Sequence, residues 1–212
     1  MTQTQQLSDE AARSLERLQE SFGVDSLPES FVAYGRSPVF LKDLMMNARK
    51  YVAGSGAIDQ RHRTLIALAT ALHAKSEPWV ELLTKYSQQV SLDKQELIDV
   101  NAVASTNYMY NTFFKFRHLS GTDRFDGMPV SLRAHTFTNV SLDEATCELI
   151  NIAISNLNAC EPCVSGHVTK AKQLGLTDQQ LLEAIQCAAT VYAGTQFLAF
   201  NTMLRAELDD ES

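Results

Sequence analysis

Apolar residues along this chain recur three and four positions apart, the spacing that gathers them on one face of an α-helix. Alternating apolar and polar runs, which would make half-buried strands between Gly/Pro turns, are nearly absent. The pattern predicts an all-α fold. Breaks fall at "GVDSLPES" (23–30), at "AGSGAID" (53–59) and across "HLSGTDRFDGMPVSLRAHTFTNV" (118–140), a polar, turn-rich connection.

The pattern also repeats. Sliding residues 59–116 onto 143–200, a shift of 84 without gaps, matches 16 of 58 positions, among them Asp59/Asp143, Pro78/Pro162, Tyr108/Tyr192 and Phe116/Phe200. Composition alone would give roughly one match in twenty, so a duplicated helical unit is expected. Local signals agree between the copies: "SLDKQEL" lies over "GLTDQQL". Each places a capping residue, Asp93 or Thr177, three positions before Glu96 or Gln180, the capping-box arrangement. Each unit then reads as helix, turn, helix, turn and a longer helix. In the second copy these fall near 143–157, 160–174 and 178–206, with Gly175 closing the middle helix and Gly194 placed to bend the last.

Composition narrows the classes. With 212 residues and 45% hydrophobic content the chain can bury a sizeable core, and a single all-α domain over 1–212 is expected. A net charge of −7 without a Lys/Arg run argues against nucleic acid and anionic membrane surfaces as partners. No segment approaches the roughly 18 apolar residues of a membrane span, and the first residues lack a secretory pattern, so a cytoplasmic protein is expected. In such a reducing compartment a close cysteine pair points to redox or metal chemistry rather than to a structural staple.

That pair is in "NACEPCVSGH", residues 158–167. On a helix, Cys160, Cys163 and His167 fall within an arc of about 60°. Pro162 suits a first helical turn, which puts both thiols where unpaired N–H groups and the macrodipole favour a thiolate. Glu148 lies on the preceding helix, which the short "NLNA" turn folds back towards His167. The 84-residue shift sets these four against Ser76, Trp79, Leu83 and Thr64, so the repeated scaffold does not require them. Zinc would use two thiolates and an imidazole, but a second Cys/His pair is missing; c-type haem attachment needs a histidine where Val164 stands. Simple burial of the thiols is the remaining bland alternative. It explains poorly why all the reactive residues gather in one copy.

The spacing Glu148, Cys160, Cys163, His167, embedded in "ELINIAISNLNACEPCVSGHVTKAKQLGLT", resembles the E-x11-C-x2-C-x3-H signature of the alkylhydroperoxidase D family, within the carboxymuconolactone decarboxylase superfamily. The resemblance runs from about residue 24 to 207; the N-terminal residues before it read as an extra helix. It implies an orthogonal helical bundle of two related units, with residues 59–116 degenerate and 143–200 carrying the site. It implies an antioxidant thiol oxidoreductase in which Cys163 is the nucleophile, Cys160 the resolving thiol, and His167 with Glu148 a proton relay through water. No bound cofactor or metal is implied. The implied partners are a hydroperoxide, a peroxiredoxin and a lipoyl- or thioredoxin-type reductant, and the implied assembly is a trimer or hexamer. The chain has Pro162 where some members have a histidine, a departure from the best-known subgroup. Two other readings stay open: a decarboxylase- or lyase-like enzyme acting on a small acid or lactone, and a non-enzymatic module that senses redox state or holds zinc.

The remaining candidates have bland expectations. Cys147 and Cys187 read as packed thiols, and Trp79 as filling of a dead site. His62, His73, His118 and His135 read as surface or satisfied core. Tyr108/Tyr192, Phe113/Phe197 and Phe116/Phe200 read as core or subunit-contact aromatics.

Overall fold

The computed structural model describes residues 7–209 and, among them, no strand. Eight α-helices follow one another: α1 (Asp9–Phe22), α2 (Pro38–Asn47), α3 (Gln60–His73), α4 (Glu77–Ser87), α5 (Lys94–Leu119), α6 (Glu144–Leu157), α7 (Glu161–Gln173) and α8 (Asp178–Asp209). A 3-10 segment (Glu29–Arg36) joins α1 to α2, and a π-helical turn (Ala48–Val52) extends α2. Two 3-10 turns, Asp123–Phe125 and His135–Phe137, interrupt the connection from α5 to α6.

The boundaries follow from capping. Asp59, Asp93 and Asp143 each accept a backbone N–H of their first turn, from His62, Glu96 and Thr146. The Asp93/Glu96 box is reciprocal, since the Asp93 N–H donates to Glu96. Thr177 and Gln180 exchange the same pair of bonds before α8. Gly175, at φ 88°, ends α7 as expected. The turns before α4 and α7 share a backbone solution. Lys75 and Ala159 stand in the left-handed region, at φ 54° and 51°, an uncommon place for residues with a Cβ. Beyond them the N–H groups of Ser76 and Cys160 donate to Ala71 and Ser155 carbonyls.

Helices α3 and α6 form the centre. Arg63 through Ala71 and Thr146 through Ser155 are buried without a break, the state of a helix covered on all sides. Short α4 folds back on α3, and α7 on α6. The long helices cross over: α5 packs more on α6 than on α3, and α8 more on α3 than on α6. Two acids fasten that crossing. Asp99 of α5 accepts from the Ser141 N–H and hydroxyl, just ahead of α6. Glu183 of α8 accepts from the Ala57 N–H, just ahead of α3, and pairs at 2.6 Å with buried Arg63. Gly56 lets the backbone pass over this pair, since a Cβ there would lie 2.2 Å from Arg63 Nη2.

The N-terminal helix and the 3-10 segment settle against α4 and α8 around Trp79. Trp79 is fully buried beside Phe22 and Phe31, which fits its expected filling role. It also makes a connection the sequence did not disclose. The indole N–H donates to Tyr34 Oη, and Tyr34 donates to the Gly194 carbonyl. Helix α8 continues through Gly194, and the missing side chain makes room there: a Cβ would lie 2.6 Å from the indole ring. Gly194→Ala is expected to cost about 1–3 kcal/mol by overpacking, read as a lower urea midpoint. An unchanged midpoint would mean that the indole has room to retreat.

Of the paired aromatics, Phe197 packs against the core, stacked on Phe40 with ring centroids 4.6 Å apart, while Phe113 and Tyr192 are half-buried. Phe116 and Phe200 are exposed, so a core role is overturned for this pair.

Candidate functional site

Helix α7 begins at the two cysteines. Cys160 is its N-cap residue and Cys163 its third residue, with Glu161 and Pro162 filling the first turn. The thiols are joined to each other, with Cα atoms 5.3 Å apart. Cys160 is wholly buried, whereas Cys163 keeps a small exposed area of 7%. Of the two sulfur-bearing residues, the second is the one that solvent can reach.

His167 follows Cys163 by four residues, one turn along the same face. Its Nδ1 lies 2.7 Å from Glu148 Oε2, which the α6–α7 hairpin brings across. A carboxylate only accepts, so a neutral imidazole held this way carries its proton on Nδ1 and leaves Nε2 as the acceptor. Glu148 is 2% exposed; its second oxygen, Oε1, lies 3.3 Å from Lys170 Nζ. Phe137, from the connection between α5 and α6, sets its ring edge-on to the imidazole at 6.2 Å. The four residues expected from the sequence therefore converge: a cysteine couple, a histidine one turn on, and a buried carboxylate orienting it.

Lys170 and Phe137 were missed. Lys170 carried a usable signal, being three residues beyond His167 on the same helical face. Phe137 carried none, because its position depends on how a 3-10 turn in a polar connection folds.

The other two thiols stand apart. Burial pushes Cys147 up to about 12, and the charges of Asp143 and Glu148 add to that. Burial likewise pushes Cys187 up to about 12; it is wholly enclosed, with its Sγ 3.4 Å from the Arg63 carbonyl. Both are held as protonated thiols at neutral pH, the inert state. Two of the histidines outside the site have local partners, His62 on Asp59 and His73 on Tyr108, and His118 lies 3.9 Å from Glu161. Among the described residues no three His, Cys, Asp or Glu side chains converge in a way that could hold a metal ion. No described helix is long and apolar enough to cross a membrane.

An all-helical chain with this site falls in a recognisable class. Residues 124–206 match the model of the Carboxymuconolactone decarboxylase family. A protein of Burkholderia xenovorans LB400, whose solved structure is described as a gamma-carboxymuconolactone decarboxylase subunit, shares the fold. Its TM-score is 0.70 at 16% identity, over 95% of this chain and 98% of that one. Sequence relatives are more specific. The alkyl hydroperoxide reductase AhpD of Maricaulis maris is 30% identical over 162 residues, 76% of this chain and 92% of its own length. That of Hyphomonas neptunium is 26% identical over 80% of this chain and 93% of its own. The chain belongs to the AhpD-like family of the carboxymuconolactone decarboxylase superfamily.

Proposed function

We propose that this protein is a dithiol alkyl hydroperoxide reductase whose redox couple is Cys160 and Cys163. The observation that carries the reading is the Glu148–His167 pair, 2.7 Å apart, one helical turn from Cys163. A carboxylate-oriented imidazole beside a thiol at a helix N-terminus is an arrangement for making a thiolate. The names of the curated relatives supply the substrate class.

In the reduced enzyme His167 Nε2 takes the Cys163 proton, and Glu148 stabilises the imidazolium. The thiolate attacks the outer oxygen of the hydroperoxide. The O–O bond breaks, the alkoxide leaves with the imidazolium proton as an alcohol, and Cys163 becomes a sulfenic acid. Cys160 then attacks that sulfur, water leaves, and the Cys160–Cys163 disulfide forms. The balance is dithiol plus hydroperoxide to disulfide, alcohol and water. A dithiol reductant of lipoyl or thioredoxin type restores the couple by exchange. A peroxiredoxin disulfide is the second acceptor class, reached by the same thiolate. The cytoplasm is the setting that suits this cycle, and assembly into a trimer or hexamer would cover apolar side chains such as Phe116, Leu119, Phe200 and Met203, which one chain leaves exposed.

Thiol counting tests the reading. The chain has four cysteines. Reduced protein, denatured and labelled, should give four thiols; after one equivalent of cumene hydroperoxide it should give two, with Cys160 and Cys163 in one disulfide-linked peptide. Four thiols remaining after both the hydroperoxide and an oxidised peroxiredoxin would sink it and return the lactone-decarboxylase alternative to the front.

A further inference from the structure

Below the site, α5 and α6 meet through a polar layer. Asn107 Nδ2 donates to the Asn151 carbonyl and to Ser155 Oγ, at 3.0 and 3.1 Å. Asn111 Nδ2 donates to Asn107 Oδ1 and to Ser155 Oγ. The corresponding contact of α3 with α8, reached by the same 84-residue shift, has Ala67, Ala71, Val191 and Thr195 at these places. A helix pair of this geometry therefore packs well without amides, and the layer has another reason to exist.

Asn151 is the residue that discloses it. Its side chain is wholly buried, and neither Oδ1 nor Nδ2 has a hydrogen-bond partner among the described residues. An isolated buried amide is costly, so natural cores rarely keep one without a water, an ion or a ligand to meet it. Asn151 lies three residues beyond Glu148, on the neighbouring stretch of the same α6 face. The Glu148 carboxylate gives one oxygen to His167 and one to Lys170, and an ionised carboxylate has about four lone-pair sites. Acceptor capacity remains on the carboxylate, and an unmatched donor and acceptor stand one turn away.

We propose that Asn151 is a positioning residue for the Glu148–His167 pair, acting through an ordered internal water that it holds against the Glu148 carboxylate. The water takes three bonds, accepting one from Asn151 Nδ2 and donating one to Asn151 Oδ1 and one to the carboxylate, the usual number for a buried water. Its effect is to fix the plane of the carboxylate. Without it, Lys170, 40% exposed at its side chain, pulls Oε1 towards solvent and turns Oε2 away from the imidazole. The inference rests on the dithiol reading above, because it assigns Asn151 to the activation of Cys163.

The test is the rate at which iodoacetamide alkylates Cys163 in the reduced protein at pH 7, followed by peptide mass, with melting temperature measured alongside. Asn151→Ala, which installs the residue found at position 67, and Asn151→Leu, which fills the space, should each slow alkylation roughly tenfold, the loss of one hydrogen bond to a charged group. Both should melt near wild type, since the bond from Asn107 goes to the backbone carbonyl of residue 151, which each variant keeps. Asn151→Ser, whose hydroxyl can still hold the water, should recover most of the rate. High-resolution crystals of the wild type should show one water within hydrogen-bond distance of both Asn151 and Glu148. A fast wild type matched by Asn151→Ala, a serine variant as slow as alanine, or a dry site would each overturn the proposal. A wild type no faster than an unactivated cysteine peptide would instead bring down the dithiol reading itself.

Discussion

Cys163→Ser should reduce hydroperoxide turnover by at least about a thousandfold while leaving the fold intact. A serine hydroxyl is isosteric enough for a residue with 7% exposure, but it is not ionised near neutral pH and is a far weaker nucleophile toward peroxide oxygen. Cys160 cannot take over. It is wholly buried at the N-cap, whereas Cys163 stands one turn from His167 on their common helix. Cys160→Ser should differ in kind: the first attack proceeds, and the sulfenic acid on Cys163 persists until a dimedone-type trap or an external thiol removes it. Stopped-flow peroxide consumption and intact mass separate the two variants. Equal losses in both, with no trapped sulfenic acid in Cys160→Ser, would reverse or remove the assigned roles.

The largest expected loss of stability comes from Arg63→Met. Arg63 is 1% exposed and gives its guanidinium to three oxygens, the carbonyls of Ile58 and Lys50 and the carboxylate of Glu183. Methionine fills much of the volume but abandons a buried carboxylate, and breaking such a pair from one side costs about 3–5 kcal/mol. The Ala57 N–H and the Gln179 amide still reach Glu183, which places the expectation near the low end, at about 3 kcal/mol. Equilibrium urea unfolding would measure it, and a change under about 1 kcal/mol would mean that the pair contributes little.

Acid should act on the same place. The Gln179 amide holds the Glu183 carboxyl below its ordinary range; burial opposes this, and the Ile58 and Ala57 N–H groups and Arg63 support it. A carboxyl depressed in the folded state adds stability that is full above its unfolded value of about 4 and lost as pH falls through the lower folded value. The fall of the urea midpoint below about pH 4 should therefore be shallower in Arg63→Met than in wild type.

Much of this architecture could be read from the chain because it rests on local rules. The capping boxes at 93–96 and 177–180 and the helix pattern put α6, α7 and α8 within a few residues of their true limits. The four candidate residues were legible for the same reason: helical spacing and one short turn bring them together. What escaped notice depends on distant partners. No local pattern marks Arg63 as buried; its partner Glu183 is 120 residues away. No local pattern marks Asn107, Asn111 and Asn151 as a buried layer, because periodicity cannot distinguish a wet face from a buried amide layer. Tyr34 and Gly194 are 160 residues apart, and only Trp79 between them explains the pair.

The two acid clasps, Asp99 on Ser141 and Glu183 on Ala57, bear on what the connecting segment is for. Each long helix carries the group that secures the entry to the opposite central helix, so neither clasp passes through the exposed turn around Asp126 and Gly127. Severing the chain at that turn would cut no clasp. The covalent link there acts chiefly by setting effective concentration: it keeps the half without the cysteine pair and the half that carries it in strict one-to-one supply, and leaves their mutual grip to side chains.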